Sequence, residues 1–258
     1  MITANPPHTK PLTVIYRDDF LVAINKPSGL LVHRSPIDKH ETRFAIQLLR
    51  DQIGQRVYPL HRLDKPTSGV LLFALSPDIA RLMREHWEDG RVKKDYLAVV
   101  RGYGPEQLHL NYPLKYQRDD LGDASKTDSP LQEAVTDFTR LACIEIPERV
   151  DRYPQSRYSL MHCRPLTGRK HQLRRHLKHL SHPIIGDPKH GKSVHNHFFA
   201  RRFGADRLLL AATELTLCHP ETGATLRISA PLEGRFANLV RRFNWHDKIP
   251  PRWCDQAI

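Results

Sequence analysis

An α+β fold with a mostly antiparallel sheet is predicted by three features of the sequence. Strand-like segments occur in local runs rather than in strict alternation with helices. Only a few segments carry the three-to-four-residue apolar spacing of a surface helix. Turn residues, chiefly Gly, Pro and Asp, stand between neighbouring segments. We expect one domain over 12–258, preceded by a disordered tail at 1–11.

The strands are predicted from short apolar or alternating runs that end at turn residues. An Arg-Asp-Asp turn at 17–19 joins the first two strands, and a turn at 219–223 makes a hairpin of the last two. The polar, acidic segment 118–130 is predicted to be a mobile loop. In chain order the predicted strands lie at 12–15, 20–25, 70–75, 94–100, 134–146, 158–163, 208–217 and 224–229.

The helices are predicted from apolar periodicity. Ser76 provides an N-cap for a helix that ends near Gly90, with apolar residues at i, i+3, i+4 and i+8 counted from Ile79. Leu173 and Leu177 have the i, i+4 spacing of another helix. The predicted helices lie at 41–53, 76–90, 170–180 and 232–243.

The charge of the chain points to an anionic partner. The net charge is +12, from 40 Lys and Arg against 28 Asp and Glu, and such a surface attracts polyanions. The segment 164–202 contains ten Lys or Arg and a single acid, Asp187. Because basic groups this dense repel one another unless an anion joins them, we interpret the segment as a polyanion-binding surface. A solvated basic face without a partner is the alternative.

Composition argues against several classes of protein. No stretch of 18 apolar residues could span a membrane, and the polar N-terminus lacks the apolar core of a signal peptide. The four cysteines lie far apart without a CxxC pair, which argues against a disulfide framework or a zinc ribbon. We therefore expect a cytoplasmic protein.

The most informative segment is 61–69, which reads HRLDKPTSG. It places the carboxylate of Asp64 close to Arg62, just before a Pro-Thr-Ser-Gly turn and the apolar run at 70–75. A carboxylate on a tight loop before a buried strand is held in one place, as a catalytic group must be. Considered alone, Asp64 is more typical of an Asx-turn residue.

Four further segments accompany it: NKPSG at 25–29, KDYLA at 94–98, LTGRKHQLR at 166–174 and HPIIGD at 182–187. Together these motifs resemble those of the RluA family of pseudouridine synthases, over nearly the whole chain. The resemblance implies the fold of that family, a central mixed and mainly antiparallel sheet with helices flanking an active-site cleft. Many relatives carry a small S4-type RNA-binding module, but only about ten residues precede the first predicted strand here, so we expect a catalytic domain over 12–258 without that module.

Three catalytic residues are implied by the resemblance. Asp64 matches the essential carboxylate, Tyr96 matches the active-site tyrosine, and Arg174 matches the arginine that pairs with the carboxylate. The arginine favours the ionised carboxylate, and the tyrosine offers a ring to stack on uracil and a hydroxyl that can move a proton. Without the resemblance, Tyr96 would be interpreted as a core residue and Arg174 as a surface charge. Lys26 is left unassigned.

RNA contacts are expected from the HRLDKPTSG motif and from the basic segment 164–202. Arg62 is predicted to fill the gap left by a flipped base or to hold a phosphate, with a structural salt bridge as the alternative. The complete predicted RNA-binding set is His61, Arg62, Arg169, Lys170, Arg175 and Lys178.

Framework segments such as LVHRSPID at 31–38 and RYPQSRY at 152–158 resemble the members of the family that act on tRNA. They imply uridine 65 in the T stem as the target, and we expect the enzyme to be a monomer. A ribosomal-RNA substrate is the first alternative. A non-catalytic RNA-binding protein is the second, although it would not explain the Asp64, Tyr96 and Arg174 set.

No metal or organic cofactor is expected, because the isomerisation is redox-neutral and side chains can supply every group. The chain has 16 histidines, dense between 171 and 197, but none belongs to an HExxH motif and no Cys stands at zinc spacing. We interpret these histidines as RNA-facing or helix-surface residues. A metal-dependent nuclease would need clustered carboxylates, and the sequence contains no such cluster.

Overall fold

The computed structural model describes residues 11–34, 41–117 and 130–254. The strands are β1 (Thr13–Arg17), β2 (Leu21–Lys26), β3 (Tyr58–Pro59), β4 (Ser68–Ala74), β5 (Lys93–Arg101), β6 (Gln107–Asn111), β7 (Leu114–Lys115), β8 (Leu131–Gln132), β9 (Val135–Ile146), β10 (Ser156–Pro165), β11 (Leu210–Cys218) and β12 (Thr225–Ser229). The helices are α1 (Ala45–Ile53), α2 (Pro77–Glu88), α3 (Gln172–His179), α4 (Ser193–Phe203) and α5 (Gly234–Arg242), with 3-10 turns at His246–Lys248 and Pro251–Trp253.

Ten of the strands form one sheet, in the order β1-β2-β4-β11-β5-β10-β9-β6, with β12 beside β11 and β3 beside β4. β7 and β8 form a separate two-stranded ribbon. Pairing is antiparallel throughout the large sheet except between β4 and β11, which are parallel. The predicted α+β fold with a mixed, mainly antiparallel sheet is confirmed.

Gly69 allows β4 and β11 to approach each other. Its φ is +113°, and a Cβ atom at this position would lie 1.9 Å from the carbonyl oxygen of Ala212. Glycine alone tolerates both that conformation and that gap. The last residue of HRLDKPTSG is therefore required by sheet packing, and it fixes where the Asp64 loop joins the sheet.

Helices cover both faces of the sheet. Alternate residues of β4 point to opposite sides, so that Leu71 and Phe73 pack with α1, whereas Val70 and Leu72 pack with Met83 of α2. In the other half of the sheet, α3 covers one face, and α4 and α5 cover the opposite face. Each face of the sheet therefore has its own hydrophobic core.

The helices are somewhat shorter than predicted, and the structure shows why α1 and α3 begin late. α1 begins at Ala45 rather than at 41, because Phe44 is extended and forms a parallel bridge with Leu31. α3 begins at Gln172 rather than at 170, because His171 has a left-handed φ of 56°. Both helices were nevertheless predicted in the right place.

The sequence analysis missed α4 and the short strands β3, β6, β7 and β8. α4 reads SVHNHFFARRF, and its buried residues His195 and Phe199 lie one turn apart. Because His195 is polar, it carries no apolar signal, and the periodicity is hidden in the sequence. The predicted tail at 1–11 and mobile loop at 118–130 lie, apart from their last residues, outside the described residues. No helix in the three described stretches is long and apolar enough to span a membrane.

Candidate active site

A cavity of about 780 Å³ collects the motif residues at one place. It is lined by the segment before β4, by α2 and β5, by the β7–β8 ribbon and by the loop leading into α3. The lining includes every predicted site residue except Lys178. Its polar members include His61, Arg62, Asp64, Arg84, Lys94, Tyr96, Lys115, Tyr116, Arg169, Lys170, His171, Arg174 and Arg175.

The Asp64 loop is held by the NKPSG motif. The N–H of Gly29 donates to the carbonyl oxygen of Lys65 at 2.8 Å. The hydroxyl of Ser28 donates to the carbonyl oxygen of Pro66 at 2.7 Å. These bonds fix the backbone directly after Asp64, so its carboxylate stays at the cavity wall. The two motifs, far apart in the sequence, therefore build one loop structure.

The side chain of Lys26 also supports the Asp64 loop. Its side chain is fully buried, and Nζ donates to three backbone carbonyl oxygens, one of them that of Lys65. Burial, helped by the charge of Arg207, lowers the pKa of Lys26 to about 7, while Asp64 opposes the shift. The three carbonyl oxygens make a buried amine tolerable at this position. Lys26 is thus a structural part of the site.

Arg174 joins two carboxylates. Its Nη1 donates to Oδ2 of Asp64 at 2.9 Å. Its Nε and Nη2 donate to the two oxygens of Asp187 at 2.7 and 2.9 Å. The exposed fraction of the side chain is 23% for Asp64 but 0% for Asp187. Asp187 therefore anchors the guanidinium, and Asp64 is the carboxylate that faces the cavity.

The electrostatics of the Arg174–Asp187 pair favour the charged forms. Burial by itself lowers the pKa of Arg174, but the hydrogen bonds and charges of Asp187 and Asp64 outweigh it and raise the pKa above its ordinary value. Burial likewise raises the pKa of Asp187, but Arg174 and two backbone N–H groups outweigh it and hold the pKa below its ordinary value. Arg174 thus enters the site as a permanent, fixed positive charge.

Tyr96 lies on β5 between β10 and β11, paired with Cys163 and Ala212. Burial, reinforced by the negative charge of Asp64, raises the pKa of Tyr96 well above its ordinary value. Its hydroxyl therefore stays protonated at neutral pH and acts as a proton or hydrogen-bond donor. The ring lines the cavity, where a flat base could stack on it.

His171 is a site residue that sequence reasoning missed, although it belongs to LTGRKHQLR. Its Nε2 lies 3.8 Å from Oδ2 of Asp64, and its Nδ1 lies 3.0 Å from Nε2 of His190. Burial lowers the pKa of His171 to about 4 in spite of Asp64, and Arg174 adds to the effect. The imidazole is therefore neutral at neutral pH.

The loop before α3 is held by Gln172. Its Oε1 accepts hydrogen bonds from the hydroxyl of Thr167 at 2.7 Å and from the N–H of Arg169 at 2.9 Å. Its Nε2 donates to the carbonyl oxygen of Val135 at 2.9 Å and to the hydroxyl of Thr136 at 3.0 Å. The loop is thereby fixed against β9, with His171 at its end.

Basic side chains surround the cavity, but they come from several elements. The segment 164–202 contributes Arg169, Lys170, Arg174 and Arg175 to the lining. Arg175 also holds the rim together, because its Nη2 donates to the carbonyl oxygen of Lys115 at 3.0 Å. The remaining basic lining residues, two of them on α2 and β5, are Arg62, Arg84, Lys94 and Lys115.

The basic segment 164–202 lines the cavity only in part, and polyanion binding by the rest of it stays a prediction. Arg164 is bound to the buried Asp95 at 2.8 Å. Lys192 is paired with Asp151, and Arg202 is paired with Glu148 at 2.9 Å. These three cations form ion pairs with acidic side chains. Lys178 lies outside the cavity lining. Only the part of the segment nearest α3 reaches the site.

Three histidines of the dense cluster are buried within the fold. His176, His190 and His195 are buried, so the interpretation of these three as RNA-facing or helix-surface residues was wrong. His176 is bonded to Thr136 at 3.0 Å, and His195 is bonded to Tyr158 at 2.9 Å. In the described part of the chain, no group of three or more His, Cys, Asp or Glu side chains could hold a metal ion.

His61 and Arg62 are adjacent but differ in their surroundings. Nε2 of His61 accepts the N–H of Leu72 at 3.1 Å, and its ring stacks on Trp87 with 5.4 Å between centroids. Burial and the charge of Lys94 lower the pKa of His61 to about 3. His61 thus supports the cavity wall, whereas Arg62 is exposed at the cavity. RNA contact by either residue stays a prediction.

Comparison with known proteins decides the family. The sequence profile described as RNA pseudouridylate synthase matches residues 20–179. The chain belongs to the RNA pseudouridylate synthase family. It is 51% identical to tRNA pseudouridine synthase C of Haemophilus ducreyi over 235 residues, which cover 91% of this chain and 97% of that protein. The protein of the same name from Pasteurella multocida is 50% identical, with the same coverage.

A solved RNA pseudouridylate synthase has the same fold. The structure of human RNA pseudouridylate synthase domain containing 1 superimposes with a TM-score of 0.66 at 25% identity, and the match covers 89% of this chain and 86% of that one. The predicted enzyme class, an isomerase that acts on RNA, is confirmed by family membership. The profile match includes Asp64, Tyr96 and Arg174 but ends before Asp187, the residue that anchors Arg174.

Proposed function

We propose that this chain isomerises a uridine to pseudouridine in tRNA, with Asp64 as the essential carboxylate and Tyr96 and Arg174 as its partners. One observation carries the proposal: the Asp64–Arg174 pair lies in the wall of a cavity ringed with basic side chains. The two relatives of 51% and 50% identity are named tRNA pseudouridine synthases, which supports tRNA as the substrate.

The reaction breaks and forms bonds at both the ribose and the uracil. The bond between N1 of uracil and C1′ of the ribose breaks, and its electron pair leaves with the uracil as an anion. Asp64 then either bonds to C1′ or takes a proton from C2′ that it later returns, and both roles need an ionised carboxylate. C5 then bonds to C1′ as the bond from Asp64 to C1′ breaks or as the proton returns to C2′, C5 loses its proton and N1 gains one, so the composition of the RNA is unchanged.

Arg174 and Tyr96 fit these demands. Arg174 is held by Asp187 before substrate arrives, so its charge is in place beside Asp64 at no cost in side-chain ordering during the reaction. The ring of Tyr96 supports the base, and its protonated hydroxyl can donate to the uracil. Each group therefore has one task at a fixed position in the cavity.

The target nucleotide has to leave its helix to reach Asp64. A volume of about 780 Å³ fits a single flipped nucleotide rather than a duplex. Flipping costs a few kcal/mol, which contacts to the vacated helix can offset. Arg62 is exposed at the cavity close to Asp64, so we assign it the position left by the base.

We infer that the target is uridine 65 in the T stem, as the resemblance to the tRNA-specific members implies. In this proposal the enzyme is a cytoplasmic monomer. It needs no metal or organic cofactor, because the side chains of the cavity supply a carboxylate, a fixed cation and a proton donor. A uridine in a stem must be unpaired first, so transcripts with the T stem locked by extra G·C pairs should react more slowly.

Incubation of the purified protein with total tRNA, followed by chemical mapping of pseudouridine, tests the proposal. New pseudouridine in the T stem is the expected result, and the Asp64→Asn protein is the matched control. Modification confined to ribosomal RNA would make the chain a ribosomal-RNA synthase of the same family. Binding of RNA without any modification would favour the non-catalytic alternative.

A further inference from the structure

His171 faces Asp64 in the cavity but has no part in the steps described above. It sits at the N-cap of α3 with a φ of 56°, a left-handed conformation that few non-glycine residues adopt. A glycine there would be free of strain, so the imidazole is kept at a cost in backbone conformation. Such a local outlier in a cavity wall points to a task for the side chain.

The hydrogen bond to His190 decides which nitrogen of His171 carries the proton. Nδ1 of His171 and Nε2 of His190 lie 3.0 Å apart, so one of them donates and the other accepts. If His171 donated, its bare Nε2 would face the carboxylate of Asp64 at 3.8 Å and be repelled. The favoured arrangement has His190 donating, which leaves an N–H on Nε2 of His171.

The Nε2–H of His171 is a hydrogen-bond donor on a neutral ring that has charged groups around it. Burial lowers the pKa of His171 to about 4, and of the groups that face the imidazole Arg174, His190 and Lys189 reinforce this shift whereas Asp64 opposes it. The ring is therefore not an imidazolium at neutral pH and does not compete with Arg174 for Asp64. His171 lines the cavity, and at 3.8 Å from Oδ2 of Asp64 its Nε2–H is too far away to donate a hydrogen bond to that carboxylate.

We propose that His171 is a further catalytic residue, whose Nε2–H donates a hydrogen bond to the uracil as the base leaves the sugar. This inference rests on the proposed isomerase function. The leaving uracil is an anion with charge on N1 and on its carbonyl oxygens. The Nε2–H of His171, fixed beside Asp64, stabilises this negative charge, which the bound uridine does not yet carry. No proton is transferred by His171. Its contribution is to the barrier of bond cleavage rather than to RNA binding.

The variants His171→Gly and His171→Gln separate the donor from the backbone. Glycine removes the imidazole but accepts the left-handed backbone, so α3 and Arg174 should stay in place. Glutamine restores an N–H donor near the position of Nε2. Ser181→Gly is the matched control, because Ser181 also has a positive φ, of 63°, and lies outside the cavity lining.

Single-turnover conversion of a tRNA transcript and the Kd for that transcript are measured for each variant. His171→Gly should slow conversion on the order of 100-fold with an unchanged Kd, and His171→Gln should recover part of the rate. Ser181→Gly should match the parent. Equal rates for the parent and His171→Gly, a loss explained by weaker binding, or no recovery with glutamine would each overturn the assignment. An inactive parent would instead refute the proposed function.

Discussion

Nη1 of Arg174 lies 2.9 Å from Oδ2 of Asp64, although 110 positions separate the two residues in the chain. The contact joins the loop before β4 to the first turn of α3. Both sides are fixed independently, the loop by the NKPSG motif and the guanidinium by Asp187. The pair is therefore preorganised by the fold, through contacts that the protein itself supplies.

Asp64→Asn should abolish isomerisation while leaving RNA affinity nearly unchanged. The amide has the size of the carboxylate but lacks its charge and its nucleophilic oxygen. Conversion of tRNA and the Kd for the same tRNA are the two measurements. Activity above a few per cent of the parent would remove Asp64 from the catalytic role.

Tyr96→Phe should bind RNA like the parent, because the ring remains, but should lose most of its turnover. General acid groups contribute typically about 100-fold or more, so a loss of that size is expected. Since the pKa of Tyr96 lies far above its ordinary value, the rate should not rise towards pH 10 as it would if the phenolate were the active form. Equal rates for both proteins would reduce Tyr96 to a stacking surface.

Arg174→Ala should lower stability as well as activity, mainly through Asp187. The Asp187 side chain is fully buried, and removal of its cation leaves an unpaired buried carboxylate at a cost of about 3–5 kcal/mol. Urea unfolding measures this loss of unfolding free energy. Arg201→Ala is the control, since that arginine is exposed on α4 and outside the cavity lining. A midpoint like that of the control would contradict the anchoring role of Asp187.

Because of Lys26, the unfolding free energy should change with pH in the alkaline range. Its folded pKa of about 7 lies below an unfolded value of about 10.4. Between these values the unfolded chain binds more protons, so the unfolding free energy should rise with pH across this window. The rise should be absent in Lys26→Met, which is also expected to be less stable because it cannot donate to the three carbonyl oxygens. Parallel pH profiles for the two proteins would show that Lys26 titrates alike in both states.

RNA affinity should fall steeply with salt. If four to six phosphates are neutralised around the cavity, log K against log salt should have a slope of about −3 to −5. Arg84→Gln should make this slope shallower by close to one unit, because Arg84 is exposed in the cavity lining. Arg201→Gln changes the charge equally at a distant site and should leave the slope unchanged. A salt-independent affinity would exclude electrostatic docking.

The sequence predicted the sheet class, most strands and four of the five helices of the described chain, because apolar periodicity and turn residues are local properties. α4 was missed for the same reason: one of its two buried residues, His195, is polar and carries no apolar signal. The family followed from motif order, which no single residue could establish.

By itself the sequence determined the chemical inventory of this protein: a carboxylate on a tight loop, a tyrosine on a strand, an arginine on a helix, and a strong positive charge. Tertiary structure alone decided how that inventory is used. Arg164, Lys192 and Arg202 form ion pairs with acidic side chains, whereas Arg84 of α2 lines the cavity. Asp187 and His171 became functional candidates only through contacts with Arg174, Asp64 and His190. Such contacts depend on distances across the sheet, and spacing along the chain does not encode them.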